Sequence, residues 1–110
     1  MPTLGELEQR VMDVLWGASQ PMSVRAVLNV LLEEKQLAYT TVMTVLDRLA
    51  KKGIVSRERE GRQWIYTPAR GRASLIADQI EVLLGKDAES RREVLEELAR
   101  RLPEVPVDPA

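Results

Sequence analysis

Residues 40–62 concentrate side chains suited to recognising a polyanion: Thr40, Thr41, Met43 and Thr44, then Arg48 and Lys51, then Arg57, Arg59 and Arg62. A threonine offers a hydroxyl that donates or accepts and a methyl that packs on a thymine methyl, whereas a guanidinium or ammonium neutralises phosphate. Small polar residues therefore come first, where base edges would be reached, and cations follow, where phosphates would lie. A plainer alternative is that the threonines cap a helix start while Lys51 and Lys52 complement its dipole. Catalysis has far less material. The 110 residues contain neither Cys nor His, which removes thiolate nucleophiles, imidazole bases and the common zinc ligands. No carboxylate pair stands in an acid–base motif, so neither an enzyme nor a cofactor or metal is expected.

Charge is distributed unevenly. The formal net charge is −1 and the pI about 5.6, which speaks against a polycation. Divided along the chain, residues 1–34 carry −3, residues 35–72 carry +6 and the remainder −4. Counterion release depends on the phosphates neutralised locally, so a basic block inside an acidic chain suits a nucleic-acid surface. A solvated face of an ordinary domain accounts for the same block.

Elements that position these residues can be read from periodicity. Leu4, Leu7, Val11, Val14 and Leu15 recur at helical steps, predicting a helix over 3–16 with Thr3 as N-cap, Glu6 completing a capping box, and Gly17 as the stop. Ser23 is placed to cap a second helix with Val27, Leu28, Leu31 and Leu32 inward, ending near Lys35. A third helix, 39–52, buries Val42, Val45, Leu46 and Leu49 and stops at Gly53, leaving Thr40, Thr44, Asp47, Arg48 and Lys51 outward with Thr41 and Met43 on the flanks. Alternation then takes over: Val55 to Glu60 and Gln63 to Thr67 form a hairpin about Gly61, closed by Pro68. A two-residue loop puts Arg57 and Arg59 on the face of Trp64 and Tyr66; a three-residue loop puts them with Ile65. Trp16 reads as core or rim packing, and Trp64 fits either DNA stacking or anchoring of the hairpin.

Helix, turn, helix and a basic hairpin form a winged helix-turn-helix, so the fold class is mainly α with a small β-hairpin, followed by C-terminal helices. The run Ala38-Tyr39-Thr40-Thr41-Val42-Met43-Thr44-Val45-Leu46-Asp47-Arg48-Leu49, then Lys51-Lys52-Gly53, Glu60-Gly61-Arg62 and Tyr66-Thr67-Pro68, resembles the penicillinase-repressor family, BlaI/MecI/CopY. Leu4-Gly5-Glu6-Leu7-Glu8 through Val11-Met12 to Leu15-Trp16 is similar to that family's first helix, so the likeness covers about residues 4–70. The resemblance implies a dimeric repressor with its third helix in the major groove of a two-fold operator. It assigns Thr40, Thr41, Met43, Thr44 and Arg48 to bases or nearby phosphates and Arg62 to the wing. Ser23, Arg25, Lys51, Arg57 and Arg59 complete the expected DNA-binding set. Two departures stand out: the cysteine cluster of the metal-responsive branch is absent, and so is the Asn-Phe bond cleaved in the antibiotic-responsive branch, since there is no Phe and the only Asn is Asn29.

Residues 72–102 hold two further amphipathic stretches separated by Gly85, with Ile76, Ile80, Leu83, Leu84, Val94, Leu95, Leu98 and Leu102 as apolar positions. A self-complementary dimer interface would cover them; folding back onto the first helix is the alternative. The expected organisation is a DNA-binding domain over 1–70, a dimerisation region over 71–102, and a flexible tail over 103–110 carrying Pro103, Pro106 and Pro109. Without an apolar run of membrane-spanning length or a signal-peptide pattern, a cytoplasmic protein is expected. The expected function is repression of transcription through an operator duplex, with neither an effector nor an inactivating protease indicated. The alternative is a winged-helix module that docks an acidic protein partner.

Overall fold

The computed structural model describes residues 4–102. The first three helices are α1 (Glu6–Gly17), α2 (Val24–Leu31) and α3 (Tyr39–Lys51). The start of α1 differs from expectation: Gly5 is the N-cap, and its N–H donates to Glu8 Oε1 at 2.9 Å. The reciprocal carboxylate is therefore Glu8 and not Glu6, while Thr3 lies outside the described residues. The inward face of α1 is also rotated, with Met12 fully buried alongside Val11 and Leu15 and Val14 left at the rim. Ser23 caps α2 as expected, its Oγ accepting from the Ala26 N–H at 3.1 Å. That helix closes at Leu31, earlier than expected, and Leu32 to Lys35 form a turn in which the Lys35 N–H still reaches the Leu31 carbonyl.

Val42, Val45, Leu46 and Leu49 of α3 point into a core shared with Val27, Leu28 and Leu31 of α2 and the inward face of α1. Truncating one of these, such as fully buried Leu46, to alanine should cost about 2–5 kcal/mol. Gly53, with φ +75°, lets the chain leave α3 and enter the sheet.

The sheet has three antiparallel strands in the order β1-β3-β2, where β1 is Met22–Ser23, β2 Val55–Glu60 and β3 Gln63–Pro68. Strand β1 was not expected; it pairs Met22 with Tyr66 and Ser23 with Ile65. Glu60 opposite Gln63 leaves Gly61 and Arg62 as a two-residue loop. Only Gly61 there has positive φ, +65°, the φ pattern of a II′ hairpin. This register sets Arg57 opposite Tyr66 and Arg59 opposite Trp64, on one face. Tyr66 is 2% exposed and fastens the sheet to the helical core. Trp16 packs at the rim of that core and its indole N–H donates to the Arg70 carbonyl at 2.9 Å.

The described residues through Leu75 form one compact unit, and those from Ile76 a second. Helix α4 (Arg72–Leu84) begins in the first unit because Leu75 is buried in its core. In the second unit Gly85, with φ +72°, precedes α5 (Ala88–Arg101), and Asp87 caps α5 by accepting the Ser90 N–H at 2.8 Å. No residue of α5 is buried, and α4 and α5 touch each other little. Ile80, Leu83, Val94, Leu95, Leu98 and Leu102 are consequently exposed, Leu83 by 82%, while Ile76 and Leu84 are half-buried.

Candidate nucleic-acid interface

With its four apolar residues turned inward, α3 presents Thr40, Thr41, Met43, Thr44, Arg48 and Lys51 to solvent, and all six are exposed. The Thr44 hydroxyl donates back to the Thr40 carbonyl at 2.9 Å. Its proton is thereby occupied, and what it turns outward is a methyl and an acceptor oxygen. Asp47 lies on the same outward face but is half-buried, because two cations close over it. Lys51 Nζ stands 3.0 Å from Asp47 Oδ2, and Arg57 Nη1 donates to Asp47 Oδ1 at 3.0 Å. Lys51 first, then Arg57, hold the Asp47 carboxyl below its ordinary value.

Arg57 links α3 to the hairpin and also takes part in a second cluster. Its guanidinium carbon is 4.6 Å from the centre of the Trp64 ring system, and that of Arg59 is 5.0 Å away. Two cations therefore share the indole of Trp64, which is 36% exposed. Tyr66 and then Asp47 keep Arg57 more firmly protonated. Arg62 sits apart, exposed at the hairpin tip beside Gly61.

On the flank of the interface Arg25, one residue into α2, stacks over Tyr39 at the start of α3, 4.9 Å from the ring centre. Ser23 Oγ accepts the α2 cap bond, which leaves its own hydroxyl proton to donate, while its backbone belongs to β1. The opposite flank of α3 forms a shallow groove with the N-terminus of α1, where Thr41 and Arg48 face Glu6 and Glu8. Glu8 is bound to Lys52, Nζ to Oε2 at 2.8 Å. Burial alone would push its carboxyl up, but the Lys52 hydrogen bond, the Gly5 N–H and the Lys52 and Arg48 charges together hold it below 4.5.

All the expected DNA-binding positions thus lie in the first compact unit, and most are gathered about α3 and the hairpin. The structure separates them into exposed cations with no ion pair among the described residues, namely Arg25, Arg48, Arg59 and Arg62, and cations already paired, namely Lys51 and Arg57. Asp47 and Tyr39, the partners that fix Arg57 and Arg25, were missed as site residues. An i,i+4 spacing signals the Asp47–Lys51 pair, whereas nothing local signals the pair with Arg57 ten positions away.

Comparison with known proteins gives a consistent result. A family model described as penicillinase repressor matches residues 4–108. The transcriptional regulator BlaI of Mycobacterium tuberculosis is 44% identical over 101 residues, spanning 90% of this chain and 73% of the relative. The solution structure of the DNA-binding domain of the repressor BlaI superposes with a TM-score of 0.59 at 32% identity, covering 66% of this chain and 87% of that one. The Bacillus licheniformis BlaI monomeric form, solved in complex with the blaP half-operator, gives 0.55 at 32% identity with the same coverage.

Proposed function

The chain belongs to the penicillinase-repressor family, and from that footing we propose that it is a DNA-binding transcriptional repressor acting on an operator as a homodimer. Helix α3 enters the major groove, and the β2–β3 hairpin lies as a wing against the flanking duplex. The observation that carries this reading is the exposed stripe of α3 beside a hairpin bearing Arg57, Arg59 and Arg62. The half-operator complex of the Bacillus relative supports it, since that protein binds DNA with a similar domain.

Within the stripe Thr40, Thr41, Met43 and Thr44 read base edges. Arg48 and Arg25 contact phosphates on either side of the groove, and Arg59 and Arg62 do so from the wing. Lys51 and Arg57 join them once released from Asp47. The unburied apolar positions of α4 and α5 support self-association, with residues from Ile76 onward covering one another across a two-fold axis. That symmetry sets the two copies of α3 about 34 Å apart or a multiple of it, one turn of duplex per step. Repression by occupancy needs no catalytic step and no cofactor, and we place it in the cytoplasm with the DNA. Among the described residues no helix is long and apolar enough to cross a membrane.

Selection from a random-sequence duplex pool tests the reading. The protein should enrich a two-fold symmetric site, and Thr44→Ala should broaden the enriched set, each lost base contact being worth about 1–3 kcal/mol of discrimination. A pool that emerges unenriched overturns the proposal.

A further inference from the structure

A carboxylate on a surface that meets a polyanion repels it, so the position of Asp47 calls for a reason. It is the only acidic residue of α3, and it stands on the outward face between Thr44 and Lys51. Its two oxygens are divided between two cations from different elements, Oδ1 to Arg57 of β2 and Oδ2 to Lys51 of α3, both at 3.0 Å. Arg57 is also hydrogen-bonded to Tyr66 and lies against the Trp64 ring. The side chains of Asp47, Arg57 and Lys51 are 39%, 29% and 73% exposed, so these pairs are screened and weak, and a phosphate can compete for the same cations.

We propose that Asp47 sets specificity by withholding Arg57 and Lys51 from indiscriminate phosphate binding and by tying the wing to α3. On a duplex of arbitrary sequence the two cations stay with Asp47 and contribute little. On a site whose groove accepts α3 fully, the backbone comes close enough to take them over. The carboxylate thus lowers affinity for bulk DNA more than for the correct site. The inference rests on the DNA-binding reading above, and it concerns a residue that makes no contact with bases.

The test compares wild type, Asp47→Asn and Asp47→Asn/Arg57→Gln by fluorescence anisotropy. The probes are a 30-base-pair duplex of random sequence and the duplex enriched from the pool, each titrated between 50 and 200 mM KCl. In a dimer, freeing one cation per protomer steepens the slope of log K against log salt by about 1.8, roughly a 12-fold larger loss of affinity across that range, and freeing both by about 3.6. Asp47→Asn should bind the random duplex several-fold tighter, with the steeper slope, while gaining little on the enriched one. The double variant should give back about 1.8 of the slope. A merely structural Asp47 would instead lower the melting temperature and weaken both duplexes alike, which overturns the inference. So does an Asp47→Asn protein whose slope and discrimination match wild type while wild type itself binds. If wild type binds neither duplex at 50 mM KCl, the DNA-binding reading falls and this one with it.

Discussion

Replacing Arg62 at the tip of the hairpin with alanine removes an exposed cation that has no ion pair among the described residues, so its effect is purely one of charge delivered to DNA. Four cations of this kind face the proposed interface, Arg25, Arg48, Arg59 and Arg62. If each neutralises one phosphate on a duplex of arbitrary sequence, where Lys51 and Arg57 stay with Asp47, a protomer has a slope of log K against log salt of about −3.6 and a dimer about −7. Raising KCl from 50 to 200 mM should then weaken the dimer's binding by about 20,000-fold. Arg62→Ala lowers the magnitude of the dimer's slope by about 1.8, and does so equally on matched and mismatched duplexes, because a phosphate contact carries no sequence information. Anisotropy titrations at five salt concentrations measure both quantities. A wild-type slope shallower than about −3 would refute the counting of free cations. A loss in Arg62→Ala confined to the matched duplex would instead make Arg62 a base reader.

Two further outcomes follow from other parts of the molecule. Leu83→Glu with Leu98→Glu places carboxylates on exposed apolar positions of α4 and α5, and light scattering should report a fall from dimer to monomer mass with the far-ultraviolet dichroism retained; an unchanged mass would place the interface elsewhere. Glu8→Gln should lower the melting temperature at pH 7, by an amount that shrinks as the solution is acidified. The folded carboxyl lies below the ordinary 4.5, so its stabilisation is complete above that value and is lost as pH falls through the folded pKa; a difference that does not shrink on acidification contradicts this assignment.

Helical periodicity made α3 legible because its single apolar stripe lies against one core; in α2 it found Val27, Leu28 and Leu31 but overran to Leu32, which is exposed past the helix end, while Ser23 announced the start of α2 chemically. Periodicity misjudged α1, where Met12 and Val14 exchange places, because α1 packs against the sheet as well as the other helices and its buried arc is wider. Strand β1 was illegible for a different reason: two residues cannot show a period of two, and Ser23 already had a role as a cap. The hairpin register was undetermined by its residues, since both loops leave an alternating pattern; the pairing of Tyr66 into the core decides it. For the interface, the sequence shows which cations exist, while which of them are already paired depends on contacts between elements, of which Asp47 with Arg57 is the clearest case.

The two-residue strand β1 has a mechanical consequence. It runs without a break from the sheet into the first turn of α2, where Arg25 rests on Tyr39 of α3, and α3 returns to the sheet through Asp47 and Arg57. Sheet, α2 and α3 therefore form a closed ring of three members, like a triangular truss, in which tilting one strains the joints to the other two. The ring thus holds the hairpin tip in place against α3 before a duplex arrives, and it opens at Asp47 once phosphate takes Arg57 over.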